Sequence, residues 1–167
     1  MKLLVMGYSG AGKSTLARAL GEQYGCPVLH LDTVQFRENW QERDAQEAEA
    51  LVEAFLNGNP GWVIDGNYLG RFSFERRCRE ADRIIQLLLP RHLCLYRVIK
   101  RYVQNRGTVR ESMAAGCEER LTGNLSAGSC GRGERHPTVR VTGPFKWLTR
   151  ERYWSALHPG RQDRFPA

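Results

Sequence analysis

The stretch Leu3-Leu4-Val5-Met6-Gly7-Tyr8-Ser9-Gly10-Ala11-Gly12-Lys13-Ser14-Thr15 decides the fold. Four apolar residues closed by a glycine read as a short buried strand. Helical spacing then runs from Lys13 to Tyr24 and stops at Gly25, a residue suited to a left-handed C-terminal cap. Between strand and helix, Gly7 to Ser14 has the form GxxxxGK[ST]. Glycines are needed there because backbone must approach phosphate oxygens closely and take conformations that a Cβ forbids. Loop N–H groups and the helix N-terminus converge on an anion. The expected phosphate cradle is Gly7, Ser9, Gly10, Ala11, Gly12, Lys13, Ser14 and Thr15. Lys13 supplies a point charge for the β- and γ-phosphates, and the Ser14 hydroxyl is suited to Mg²⁺.

Outward from this unit the same alternation repeats. Pro27 to Leu31 reads as a second strand ending at Asp32, and Glu42 to Leu56 as an amphipathic helix. Trp62 to Asp65 is a third strand and Ile84 to Leu89 a fourth, closed by Pro90; Arg91 to about Gln104 is helical again. Apolar strands separated by helices of three or four turns imply an α/β fold: a P-loop NTPase with a doubly wound parallel sheet and helices on both faces. Ligands of such sheets bind beyond the carboxyl ends of the strands. Attention therefore falls on Gly7 to Ser14, Asp32 to Arg37, Asp65 to Arg71, and the residues after Pro90.

A chain of 167 residues, 41% hydrophobic and 26% charged, is long enough for one sizeable core and too short for two ordinary domains. No apolar run approaches a membrane span and no signal peptide is visible, so a soluble cytoplasmic protein with no membrane partner is expected. Five cysteines without a CxxC pair suggest neither a disulfide framework nor a zinc site. The net charge of +7 is one-sided: residues 1–70 carry 5 basic and 9 acidic side chains, whereas residues 71–167 carry 20 and 9. Such asymmetry fits a nucleic-acid surface, arginines facing a polyphosphate, or a solvated tail.

The phosphate loop alone names no reaction. The NKxD and DxxG motifs of GTPases and the LSGGQ-type motif of transporters are missing, and four compact βα steps favour a small-molecule or nucleotide kinase. The chain resembles the small adenylate-kinase-like P-loop proteins labelled DNA topology modulation, or FlaR-like, proteins. That resemblance spans about residues 1–120. It is carried by Gly7 to Thr15, His30-Leu31-Asp32, Trp62 to Tyr68, Ala81-Asp82, Leu89 to Arg97, Arg106-Gly107 and Met113 to Cys117. The fold of such proteins implies phosphoryl transfer from ATP with Mg²⁺, whereas the family label implies an effect on DNA.

By that resemblance, Asp32 orients an acceptor hydroxyl, and Asp65 is similar to a carboxylate that holds Mg²⁺ together with Ser14. Read from the residues alone, Asp32 could equally cap the turn with Thr33, and Asp65 could form an Asx turn into Gly66-Asn67. Asn67-Tyr68 stands where adenylate kinases continue with Pro-Arg, leaving Arg71 or Arg76 to supply the missing charge; Leu88 stands where the family carries Asp. Arg97 and Arg101, four residues apart on one helical face, match two arginines that adenylate kinases aim at the base and the transferring phosphate. The plainer alternative is a solvated basic face. Lys13, Asp32, Arg97 and Arg101 are thus the candidate catalytic residues, and both arginines join the nucleotide cradle.

A short lid is expected around 106–117, with Arg106 and Arg110 above the phosphates. Residues 121–167 read as an irregular basic segment, rich in Gly and Pro, in which only Phe145 to Trp154 could form a short aromatic helix. The leading expectation is an ATP- and Mg²⁺-dependent kinase acting on a small acceptor, a nucleoside or nucleotide among the candidates. The alternative is a nucleotide-regulated DNA-binding protein whose basic second half, with Trp147 and Trp154 as stacking groups, contacts nucleic acid.

Overall fold

The computed structural model describes residues 1–104, 113, 116 and 117, together with the backbone of 146–148. Strand β1 (Lys2–Gly7) leads through the phosphate loop into helix α1 (Lys13–Tyr24). Then come β2 (Val28–His30), α2 (Leu31–Gln35), a 3₁₀ turn at Glu38–Trp40, α3 (Ala45–Gly58) and β3 (Trp62–Asp65). Helix α4 (Phe74–Glu80), β4 (Arg83–Leu87), α5 (Arg91–Gln104) and β5 (Lys146–Leu148) complete the described chain.

The sheet has the order β2-β3-β1-β4-β5. The first four strands are parallel, as expected from their unbroken apolar character; Val5 lies opposite Asp65, and His30 opposite Asp65 on the other side. Alternation along β1 divides the core. Leu4 and Met6 pack with Leu31, Val52, Leu56, Trp62 and Phe72 beneath α2, α3 and α4. Leu3 and Val5 pack with Ala17, Leu20, Val63 and Cys94 beneath α1 and α5. Both faces are covered, which is the doubly wound arrangement of a P-loop NTPase.

Three local differences from the sequence expectation have physical causes. The second strand ends at His30, and Leu31 and Asp32 begin a short helix. Thr33 Oγ1 donates to the His30 carbonyl at 2.7 Å, so Thr33, not Asp32, closes this turn. Helix α4 gives no sequence signal, because Phe-Glu-Arg-Arg-Cys-Arg-Glu reads as polar surface. Lys146–Leu148, expected to open an aromatic helix, is instead a strand antiparallel to β4, registering Trp147 with Ile85. The outer edge of β4 offers a row of backbone donors and acceptors, and a segment rich in aromatic residues suits that edge. The remainder of Phe145 to Trp154 lies outside the described residues.

Arg77 explains why α4 exists. It is fully buried, its Nε donates to the Phe72 carbonyl at 2.6 Å, and its Nη2 donates to the carbonyls of Arg71 at 3.0 Å and Tyr68 at 3.3 Å. The guanidinium also lies over the Phe74 ring. One side chain thereby satisfies three carbonyls of a loop in which Tyr68, Phe72 and Ser73 all take positive φ. Arg77→Met, which keeps the stem but removes every donor, is expected to cost about 3 kcal/mol. The corresponding fall in melting temperature, roughly 10 °C, is measurable by circular dichroism.

Candidate functional site

The loop from Gly7 to Gly12 lies at the carboxyl end of the central strand, and its geometry depends on two glycines. Gly10 (φ +79°) sits hard against the Cys94 carbonyl and Val98 of α5, so no side chain fits. At Gly7 (φ +145°) an added Cβ would lie 2.7 Å from the Leu87 carbonyl of β4. The loop is therefore pressed between β4 and α5. Gly12 enters α1 with a left-handed conformation and no side-chain cap, and the first helical turn carries no acidic residue. The N-terminal N–H groups of α1 thus meet no competing anion from their own helix. Lys13 Nζ folds back to the Tyr8 carbonyl at 3.2 Å, and Arg91 lies over the Tyr8 ring, 5.4 Å from its centroid. Ala11 is buried, while Ser9 and Thr15 are exposed.

Asn67 makes a clamp that sequence reasoning did not find. Its Oδ1 accepts from the Gly7 N–H and its Nδ2 donates to the Gly7 carbonyl, each at 3.0 Å. An amide is the side chain that can mirror a peptide in this way, which accounts for Asn where adenylate kinases have Pro. The only sequence signal was that departure.

The structure brings Ser14 and Asp65 together: Ser14 Oγ donates to Asp65 Oδ2 at 2.6 Å. His30 Nδ1 meets the same oxygen at 3.0 Å. Asp65 is buried, and its Oδ1 has no hydrogen-bond partner among the described residues. The carboxylate therefore faces the phosphate loop and β2, not an Asx turn into Gly66-Asn67. A buried oxygen without a donor calls for one from outside the chain. A cation or its bound water, beside the Ser14 hydroxyl, fits the oxygen-only donor set that magnesium prefers.

Asp32 is exposed on the first turn of α2 and accepts from the Tyr68 hydroxyl at its Oδ1, 2.7 Å away. Burial pushes the Tyr68 hydroxyl well above the usual phenol range, and the charges of Asp32 and Asp65 add to that rise while Arg71 opposes it. Tyr68 consequently keeps its proton and donates it to Asp32. Its ring tilts against Phe72 at 4.8 Å, and Arg71 lies over the far ring at 5.0 Å. Arg76 does not reach this site: it pairs with Glu53 and Glu80 and donates to Asn57. Arg71 alone of those two arginines acts on Tyr68, the hydrogen-bond partner of Asp32.

Helix α5 presents Arg97 exposed and Arg101 half-buried one turn further on. Burial pushes the Cys94 thiol up, with the charges of Arg97 and Lys13 acting in the opposite sense. Arg106 and Arg110 lie outside the described residues. Of the expected lid, Met113 and Cys117 are buried. The Cys117 Sγ accepts from the Trp40 N–H at 3.2 Å and donates to the Arg37 carbonyl at 3.3 Å.

The model of the ATPase family associated with various cellular activities (AAA) matches residues 3–64, which run from β1 through the loop to β3. Among solved structures, a gluconokinase from Sinorhizobium meliloti is similar at 20% identity, over 66% of this chain and 68% of that one, with a TM-score of 0.45. A shikimate kinase from Bacteroides thetaiotaomicron is similar at 16% identity over 59% and 63%, with a TM-score of 0.44. A search of curated proteins returns no significant match. No helix among the described residues is long and apolar enough to cross a membrane.

The Asn67 clamp has a measurable consequence. Asn67→Asp replaces a donor by an oxygen that repels the Gly7 carbonyl. It is expected to weaken ATP binding about tenfold by calorimetry, and more than Asn67→Ala does. Unchanged affinity in both variants would show that the clamp does not shape the loop.

Proposed function

We propose that this chain is an ATP-dependent phosphotransferase that uses Mg²⁺ and acts on a small hydroxyl-bearing acceptor. The observation that carries the proposal is the Ser14–Asp65 pair at the mouth of the phosphate loop, with its second carboxylate oxygen buried and unpartnered. A loop that only binds an anion has no need of a carboxylate at its edge, because negative charge there opposes the phosphate. The arrangement makes sense when a divalent cation lies between them.

In this proposal the loop N–H groups, the N-terminus of α1 and Lys13 hold the β- and γ-phosphates, and Ser14 and Asp65 hold the magnesium ion. When bound, the metal screens charge on the phosphates. Arg97, exposed on α5 one turn beyond the Cys94 that backs Gly10, is the cation assigned to meet charge that develops on the transferring group. Arg101 joins it from the next turn. Asp32 orients the acceptor: Tyr68 occupies Oδ1, so the other oxygen of this exposed carboxylate is left to accept from an acceptor hydroxyl. Phosphoryl transfer requires little more than such positioning and charge stabilisation. Arg71, over the Phe72 ring that packs on Tyr68, supplies positive charge on the acceptor side. The finer family resemblance, to FlaR-like proteins, agrees with this set of residues; nothing among the described residues favours the DNA-binding alternative.

The test is transfer from γ-labelled ATP to a panel of nucleosides, nucleotides and small hydroxylated metabolites. Lys13→Ala is expected to lower transfer by roughly 10²–10³-fold. Asp32→Asn should lower kcat while ATP affinity stays within about twofold, because Asp32 touches the acceptor side alone. No labelled acceptor, together with salt-sensitive DNA binding that survives Lys13→Ala, would overturn the proposal.

A further inference from the structure

We propose that His30 is a positioning residue for magnesium: its Nδ1–H and the Ser14 hydroxyl both load Oδ2 of Asp65 and so reserve Oδ1 for the cation shell. This rests on the phosphotransferase proposal above and deepens it. The pairing of β2 with β3 sets His30 directly opposite Asp65, so the two side chains emerge as neighbours on one face. His30 is itself held, since its carbonyl accepts from Thr33 Oγ1 at 2.7 Å and it serves as the N-cap of α2.

The distribution of donors is the informative feature. A carboxylate oxygen has lone pairs and no hydrogen to give, so the contact at 3.0 Å requires the hydrogen on Nδ1. A buried aspartate with a purely structural role would gain most by spreading its donors over both oxygens. Here Ser14 and His30 converge on Oδ2, at 2.6 and 3.0 Å, and Oδ1, itself buried, has no hydrogen-bond partner among the described residues. Two donors on one oxygen fix the plane of the carboxylate. They also leave the Ser14 lone pairs facing away from Asp65, open to the same cation. Outer partners of this kind, which orient a metal-holding group without touching the metal, commonly contribute 10–100-fold to metal affinity.

The experiment is calorimetric titration of the full chain with ATP, once in excess MgCl₂ and once in EDTA at matched ionic strength, for wild type, His30→Phe and His30→Asn. His30→Phe keeps a ring but has no donor; the Asn amide places an N–H near the position of Nδ1. Wild type is expected to bind ATP more tightly with magnesium. His30→Phe should lose about tenfold of that gain, with affinity in EDTA within about twofold, and His30→Asn should recover most of it. In an Asp65→Asn background, His30→Phe should change nothing further, and if the Phe variant folds poorly, His30→Ala, compared with His30→Asn, carries the same test. An undiminished magnesium gain in His30→Phe, or equal loss in MgCl₂ and EDTA, overturns the inference. Tight ATP binding that magnesium does not strengthen removes the metal role of Asp65. Absence of ATP binding by wild type overturns the phosphotransferase proposal itself.

Discussion

Parallel pairing of β1 between β3 and β4 is the constraint on which the site depends. The β1–β3 register sets Val5 against Asp65, and the β1–β4 register sets Gly7 against Leu87. Three carboxyl ends therefore finish together, and each delivers one part of the site: a phosphate loop after β1, a carboxylate at the end of β3, and the start of α5 after β4. A one-residue slip of β3 would turn Asp65 to the other face of the sheet and separate it from Ser14. The apolar residues that enforce the register, Leu3 to Val5 and Trp62 to Ile64, are buried to within 1% of full enclosure. Burial of hydrocarbon thus sets the position of two polar atoms 51 residues apart in sequence.

The acceptor side is built on a different principle. Residues 68–73 form a loop in which three non-glycine residues hold positive φ, a conformation that costs free energy at each position. It persists because Arg77 ties together three of its carbonyls and because Phe72, at 1% exposure, anchors it in the core. The consequence reaches the surface through Tyr68, whose backbone carbonyl meets Arg77 and whose hydroxyl meets Asp32. A buried guanidinium is costly to desolvate unless its donors are used, and here Nε and Nη2 are used on three backbone carbonyls of the loop.

The sheet and the phosphate loop were legible because both rest on local patterns: unbroken apolar runs of four or five residues, and glycines at fixed intervals before a helix. Helix α1 and strand β3 match their expected limits residue for residue. What could not be read depends on pairing across long separations. Arg77 looks like any arginine of a charged heptapeptide until α4 turns it inward, and Asn67 looks like a turn residue until its amide meets Gly7, 60 residues away. His30 and Ser14 share one oxygen of Asp65, yet they approach it from β2 and α1, 35 and 51 residues away in sequence. The sequence likewise offered Arg71 and Arg76 as equals, and only the packing of α4 against α3 commits Arg76 to glutamates.

The same distinction sharpens the meaning of the basic charge. A nucleic-acid surface needs cations spread along an extended face and left free to meet phosphates. Several described arginines are engaged in other work: Arg37 and Arg43 pair with Glu47, Arg76 pairs with Glu53 and Glu80, and Arg77 is enclosed. Those nearest the phosphate loop are arranged otherwise. Lys13 rests on the Tyr8 carbonyl and Arg91 lies over the Tyr8 ring. Both flank a helix start that carries no acidic side chain. Positive charge focused at one point, beside a carboxylate whose free oxygen suits a divalent cation, is matched to a short polyphosphate with its metal and not to a polymer.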